Sequence, residues 1–286
     1  HEPATYYVAK TGNDPNPGTQ ELPWLTIQKA ANTIRTGDKV IVKEGVYDER
    51  VITNTKHGNS DDYIIFKAEG SVQVKGFDIN YDYTAIEGFT ITNGAMYVTG
   101  VTIKGNYARV VNNYISNIMG NAAIESKWSD RPQEVYVGRN RIYHSQYGIF
   151  INGDNWVVEN NEVERLFKYS DGASTDADYA RFFGEGHILR NNYFHGSLPE
   201  ETRDAHVDCF QTFDSAWSGY YAANITIERN MCSTFNEACM GEGHYLRKSA
   251  HITFRNNVFT NGFAVSSGPI MQDIAYVTAV NNVFAN

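Results

Sequence analysis

The sequence predicts an all-β fold, a right-handed parallel β-helix (solenoid) with a short α-helical cap at its N-terminal end. Three observations point there. A five-residue signature recurs as VNNYI (111–115), GRNRI (138–142), ENNEV (159–163), RNNYF (190–194), ERNMC (228–232), RNNVF (255–259) and VNNVF (280–284). The third residue of each is Asn113, Asn140, Asn161, Asn192, Asn230, Asn257 and Asn282, at intervals of 27, 21, 31, 38, 27 and 25 residues. Between them run short Val-, Ile- and Phe-rich segments with Gly and Asn at the bends, which suits one solenoid coil per repeat. Leucine-rich repeats have a similar length but need a Leu-x-x-Leu-x-Leu frame, which is absent.

Taken in order, residues 1–36 form an N-terminal strand and cap, and residues 37–286 the solenoid, within one domain. YYV (6–8) reads as a strand. PWLTIQKAANTI (23–34) places Leu25, Ile27, Ala30, Ala31 and Ile34 close to one helical face, a cap for the exposed sheet edge. DKVIVK (38–43) recurs 24 residues later as DYIIFK (62–67), and EGFTI (87–91) puts Phe89 at 24 before Asn113. The repeated asparagines are expected to stack as an amide ladder, each bonding to the coils on either side. At the far end the chain stops inside a repeat at VNNVFAN, so a cap, a partner or further chain is expected to cover that edge. The oligomeric state is left open.

Composition sets limits on function. Of 286 residues 42% are hydrophobic, ample for a large core. No run approaches the roughly 18 apolar residues of a membrane-spanning helix. With 24 Lys+Arg against 33 Asp+Glu, the net charge of −9 disfavours nucleic acid as a partner. The start at His1-Glu2-Pro3, without Met, gives the expectation of a removed leader and export, to the medium, the periplasm or the cell surface. Cys209, Cys232 and Cys239 cannot all pair within one chain and lack zinc-site spacing, so they are expected as small core residues.

YYVAKTGNDPNPGTQELPWLTIQKAA (6–31) resembles the opening of secreted, pectate-lyase-like parallel β-helix proteins that act on polysaccharides. The resemblance lies in the Tyr-Tyr-Val strand, the Gly-Asn-Asp-x-Asn-Pro-Gly-Thr loop and the Pro-Trp-x-Thr-Ile-Gln helix start. It implies a carbohydrate-active protein whose partner is a polysaccharide or oligosaccharide, and leaves the reaction open among lyases and glycoside hydrolases.

Function is expected where the coils swell. The longest intervals, 31 and 38, are consecutive, and insertions on solenoids commonly build binding sites. Aligning YGIFIN (147–152), DCFQTF (208–213) and EACMGE (237–242) points Ile149, Phe210 and Cys239 inward and Phe150, Gln211 and Met240 outward. Asp208 and Glu237 then share one column on adjacent coils, and Lys168, seven residues after Asn161, falls near it. Parallel strands lie ~4.8 Å apart, so two stacked carboxyl groups approach the ~5 to 5.5 Å separation of retaining glycosidases. Like-charge proximity raises one pKa of such a pair, giving a proton donor beside a carboxylate. A single outward acid is otherwise a solvated surface group; the stacking of two singles out this pair.

His206, Gln211 and His244 are expected to orient the sugar, Arg203, Arg247 and Lys248 to contact any acid group, and Trp217 to stack on an apolar sugar face. A weaker similarity to the β-helical pectin hydrolases rests on carboxylates on neighbouring coils. Their Asn-Thr-Asp, Asp-Asp and Gly-His-Gly motifs are not reproduced. Asp171, Asp176 and Asp178 crowd one loop with the hard oxygen ligands calcium prefers, without EF-hand spacing. No cofactor is required by any motif; calcium is a candidate ligand. Glycosidic hydrolysis leads the expectations. β-Elimination or C5 epimerisation of a uronic-acid polymer follows, with Lys168, Lys248, His206 or a Tyr as base, and a non-catalytic glycan-binding or envelope protein comes third.

Overall fold

The computed structural model describes residues 1–53, 62–169, 176–263 and 269–285. Every strand pairing among them is parallel, and the chain winds through three stacked faces of an all-β solenoid. The first face runs from Thr5–Val8 to Thr278–Val280, the second from Arg50–Ile52 to Pro269–Gln272, and the third from the end of Lys39–Val46, where Gly45 and Val46 pair with Val72 and Gln73, to Val283–Ala285. Inner coils reach all three faces, and the longest strands, such as Tyr114–Glu125 and Arg141–Asp154, run round a bend from the third face into the second.

The recurring signature marks the bend between the first and third faces. Its second residue sits in the left-handed region in every copy, with φ between 53° at Arg229 and 58° at Asn256. Asparagine tolerates that conformation best among residues with a side chain, which explains the frequent Asn-Asn pair. The third residue turns into the core. Asn161 donates its backbone N–H and Nδ2 to Oδ1 of Asn192, both at 3.0 Å, and Asn192 repeats this on Asn230. The ladder continues from Asn113 to Asn282, as the repeat predicts. From Asn113 to Asn257 the ladder residues are almost wholly buried, so a lost partner there would leave a polar group short of a hydrogen bond. Inside the ladder, Val, Ile and Phe from all three faces fill the core.

Two expectations are corrected. The N-terminal helix covers only Ile27–Ala31, with Thr26 as N-cap accepting from the Lys29 N–H. Residues before it are extended instead, because Trp24 bridges to Val8 and its N–H bonds to the Tyr7 carbonyl. This end is fastened by the Gly-Asn-Asp loop rather than a helical cap: Asp14 accepts from the Leu25 and Thr26 N–H groups, and Trp24 stacks on Tyr6. Cys209 and Cys232 form a disulfide, and only Cys239 is a free, buried thiol. Two inward residues from neighbouring coils meet across the core, a contact that sequence spacing does not reveal.

Candidate active site

The site stands on the second face, where the two long intervals fall. Ile149, Ala180 and Phe210 pair in register, pointing inward, and Phe150, Arg181, Gln211 and Met240 follow as the outward column. Three residues before Arg181, Gln211 and Met240 the chain forms a second column. Asp208 pairs with Glu237 as an isolated parallel bridge, and the Tyr179 N–H bonds to the Asp208 carbonyl, which sets Asp178 beside Asp208. Three carboxylates thus line up on consecutive coils: Asp178, Asp208 and Glu237. Asp176 and His206 form a further pair beside them.

Asp208 is wholly buried and surrounded by donors. Nδ1 of His206 lies 3.2 Å from both of its oxygens, Gln211 Nε2 donates at 3.3 Å, and the Glu237 N–H donates to Oδ1 at 3.3 Å. The other imidazole nitrogen, Nε2, lies 2.7 Å from Oε2 of Glu237, at ion-pair distance but without hydrogen-bond alignment. One ligand atom from each of His206, Asp208 and Glu237 falls within 4.8 Å of the others. Glu237 is the more open acid, its side chain 17% exposed.

These contacts set the proton affinities. The hydrogen bond to Asp208, aided by the charges of Asp208 and Glu237, lifts His206 to about 9, so the ring is an imidazolium at neutral pH. Burial raises Glu237, His206 pulls it down and Asp208 pushes it up, with a net rise. Asp178 is also raised: its complete burial outweighs the Arg181 guanidinium, whose Nε donates to Oδ2 at 2.7 Å. Arg181 also reaches Asp176 at 2.8 Å and lies over the Tyr147, Phe150 and Phe213 rings. Beside this, Phe183 stacks on Tyr220 at 4.2 Å, and Trp128 meets Tyr220 edge-on at 4.3 Å, forming an aromatic shelf.

The remaining sequence candidates fall around this core. Gln211 is an outward-column residue, as expected, yet 93% covered, with Oε1 lacking a partner. Lys168 is not in the acid column. Its Nζ pairs with Asp204 at 2.7 Å, because the insertion after Asn161 moves the second-face strand to Ala180–Glu185 and hands that place to Asp178. His244, Arg247 and Lys248 lie on an exposed turn held by Asp214, which accepts from the Tyr245, Leu246 and Arg247 N–H groups. Lys248 Nζ lies 5.8 Å from the Tyr221 ring centre. Arg203 is the exposed C-cap of the helix Pro199–Thr202, and Trp217 is 99% exposed. Asp176 and Asp178 hold Arg181 between them, and Asp171 lies outside the described residues. Sequence reading missed Arg181. Aligning DYARFF (178–183) with YGIFIN (147–152) would have found it, since that register sets Ala180 at Ile149 and Arg181 at Phe150.

No family model matches the chain. An uncharacterized protein, YwoF of Bacillus subtilis (strain 168), is 24% identical over 203 residues, 65% of this chain and 41% of its own length. The chain therefore spans less than half of that relative. Among solved structures, the GH136 lacto-N-biosidase from Eubacterium ramulus matches with a TM-score of 0.63 at 13% identity, over 99% of this chain and 68% of that one. An alginate lyase from Paenibacillus sp. str. FPU-7 gives 0.58 at 15% identity, over 97% and 99% of the two chains. The pectin methylesterase from carrot gives 0.58 at 11% identity, over 95% and 87%. The chain has the fold of carbohydrate-active β-helix enzymes. Three reaction classes share that fold, so the site's own chemistry must choose among them.

Proposed function

We propose that this chain hydrolyses glycosidic bonds in a polysaccharide, with Glu237 as proton donor and Asp208 as the second carboxylate. The observation that carries the reading is the pairing of these acids on adjacent coils, with oxygens within 4.8 Å and His206 against both. That spacing sits on the retaining side of the ~5 to 5.5 Å against ~6.5 to 9.5 Å division between glycosidase classes. Glu237, raised by burial, is the acid that can hold a proton, and it is the one open to solvent. Asp208 is screened by the Gln211 amide and the His206 ring, so a bound sugar must displace one of them for Asp208 to reach it. Gln211 Oε1 lacks a hydrogen-bond donor, and a sugar hydroxyl would supply one once the amide is displaced.

Two features favour this over β-elimination on a uronic-acid polymer. Both cations of the site are already paired, Arg181 with Asp176 and Asp178 and His206 with Asp208 and Glu237, so neither is left to neutralise a uronate carboxylate. Elimination also needs a neutral base, whereas His206 stays protonated up to about 9 and Lys168 is engaged by Asp204. The Arg181 guanidinium between Asp176 and Asp178 speaks against a calcium ion there. The Cys209–Cys232 disulfide supports export to an oxidising compartment.

The test is a screen of neutral and uronic-acid polysaccharides, following reducing ends and ultraviolet absorbance together, with and without chelator, beside Asp208→Asn and Glu237→Gln. Reducing ends without absorbance, lost in both variants and insensitive to chelator, support hydrolysis on this pair. Absorbance from an unsaturated product would replace it with the lyase. Glycan binding that survives both substitutions, with no product from any polymer, would make the chain a binding protein.

A further inference from the structure

A different surface of the solenoid carries an arrangement that the carboxylate site does not use. Two residues before each first-face strand register, the chain passes through a left-handed bend. Pairing in register stacks these bends as Tyr83, Tyr107, Glu134, Asn155, Gly186, Asn224, His251 and Tyr276, all at positive φ. Asn and Gly are the residues such a backbone favours, and they occupy the middle of the column. Tyrosine does not belong there on backbone grounds, yet Tyr83 and Tyr107 both adopt it, at φ 52° and 57°. Residues held against their backbone preference point to a use for the side chain.

The rings lie face to face, 4.3 Å apart and 5° from parallel, with Tyr63 edge-on to Tyr83. The stack ends at Tyr107, because the next bend carries Glu134 in place of a ring. Tyr107 is 37% exposed, and beside it opens a hollow of about 470 Å³ lined by Tyr63, Glu87, Tyr107, Arg109, Tyr136 and Arg139, among others. A second hollow of about 370 Å³ shares Tyr63, Glu87 and Arg109 and extends it along the coils. Arg109 lies over the Tyr63 ring at 4.1 Å. Two arginines face two glutamates, Glu87 and Glu134, so the rim offers both donors and acceptors without net charge.

We propose that this groove is a second, non-catalytic binding site for a neutral polysaccharide, with a sugar ring seated on the outer face of Tyr107 and its hydroxyls on Arg109, Arg139, Glu87 and Glu134. An aromatic face framed by mixed polar groups fits a sugar, which has an apolar ring face and polar edges. The carbohydrate class rests on the reading of the carboxylate site; the groove itself does not.

The bends of this same chain supply non-disruptive variants. Tyr107→Asn places at the bend a residue already present at Asn155 and Asn224, and Arg139→Asn repeats the residue at Asn112 and Asn160. Affinity electrophoresis in gels cast with mixed-linkage β-glucan, xylan or galactomannan reads binding separately from cleavage. The expected result is retardation of the wild type by at least one polymer, weakened about fivefold or more in each variant. Unfolding temperatures should be equal or higher, and cleavage of short oligosaccharides unchanged. Retardation equal in wild type and Tyr107→Asn, or none with any of the polymers, would make the stacked tyrosines a structural ladder and overturn the proposal. If no polymer is cleaved but retardation is lost in Tyr107→Asn, the groove stands and the hydrolase reading falls.

Discussion

Glu237 stands one coil beyond Asp208 in the same column, its N–H donating to Asp208 Oδ1 while its carboxyl shares the His206 imidazolium. The two acids are chemically alike but differently placed. Asp208 is closed in by donors, whereas Glu237 is partly exposed and its Oε2 meets the His206 ring without hydrogen-bond alignment. On the proposed mechanism the donors crowded around Asp208 and the few at Glu237 divide their roles, as differing environments do in carboxylate pairs that split acid and nucleophile chemistry.

Removing the proton from Glu237 permanently should be the most damaging conservative change. Glu237→Gln is expected to lower kcat about 10² to 10⁴-fold on a substrate with a poor leaving group, the usual contribution of general acid catalysis. On an aryl glycoside with an acidic leaving group the loss should be far smaller, since that bond needs little protonation. Asp208→Asn should impair both substrates alike. Equal losses for the two variants on both substrates would reverse or remove the assigned roles.

The pH profile follows from His206. On the proposed mechanism activity requires protonated Glu237, so it should fall as pH rises through that group's elevated pKa. The imidazolium pulls this pKa down, and it keeps its charge until about 9. In His206→Asn the pull is gone, Glu237 holds its proton longer, and the alkaline limb of kcat should move to higher pH. A limb that stays in place, with only the amplitude reduced, would leave His206 a purely structural contact to Asp208.

Most of the fold was legible because a solenoid writes its period into the chain. The Asn ladder needs an asparagine once per coil and a left-handed residue before it, and both appear as Asn-Asn or Arg-Asn pairs. Asp208 and Glu237 were legible for the same reason: their strands obey one alternation, so a register could be counted. Asp178 and Arg181 were hidden by the long interval after Asn161, where counting residues led to Lys168 instead. The insertion carries no information on how many residues it spends outside the coil. The Cys209–Cys232 bond was illegible because it joins residues of different coils across the core, which a column alignment does not compare.

Breaking the ladder should cost more than breaking most surface contacts. Asn192→Ala takes from the Asn161 N–H and the Val158 carbonyl their side-chain partner, and leaves Asn161 Nδ2 and Asn230 Oδ1 each one hydrogen bond short. At roughly 1 to 3 kcal/mol for each buried group left unsatisfied, a loss above about 3 kcal/mol is expected. Urea unfolding reads it directly. Asn281→Ala, at the exposed left-handed position of the last bend, should cost about 1 to 2 kcal/mol from backbone strain and the loss of one exposed hydrogen bond to Asn256 Oδ1. Similar losses for the two would deny the ladder its special weight.

Acid stability should report on His187, buried without exposure one coil from Trp156. Its Nδ1 accepts the Trp156 N–H at 3.2 Å, and Nε2 faces the Phe183 carbonyl at 3.0 Å, so the neutral ring with its proton on Nε2 satisfies both. Protonating Nδ1 would set two donors against each other inside the core, and burial accordingly depresses this histidine to about 4. A depressed folded-state pKa means the unfolded chain binds the proton first. The stabilisation is complete above the ordinary histidine value near 6.5 and drains away as pH falls toward 4, by about 3 kcal/mol across that window. Carboxylates titrate there too, so the measurement is the difference in urea unfolding free energy between wild type and His187→Gln from pH 7 to 4.5. The wild type should lose its advantage as the solution is acidified. A difference constant with pH would mean that His187 is protonated as readily in the folded chain as in the unfolded one.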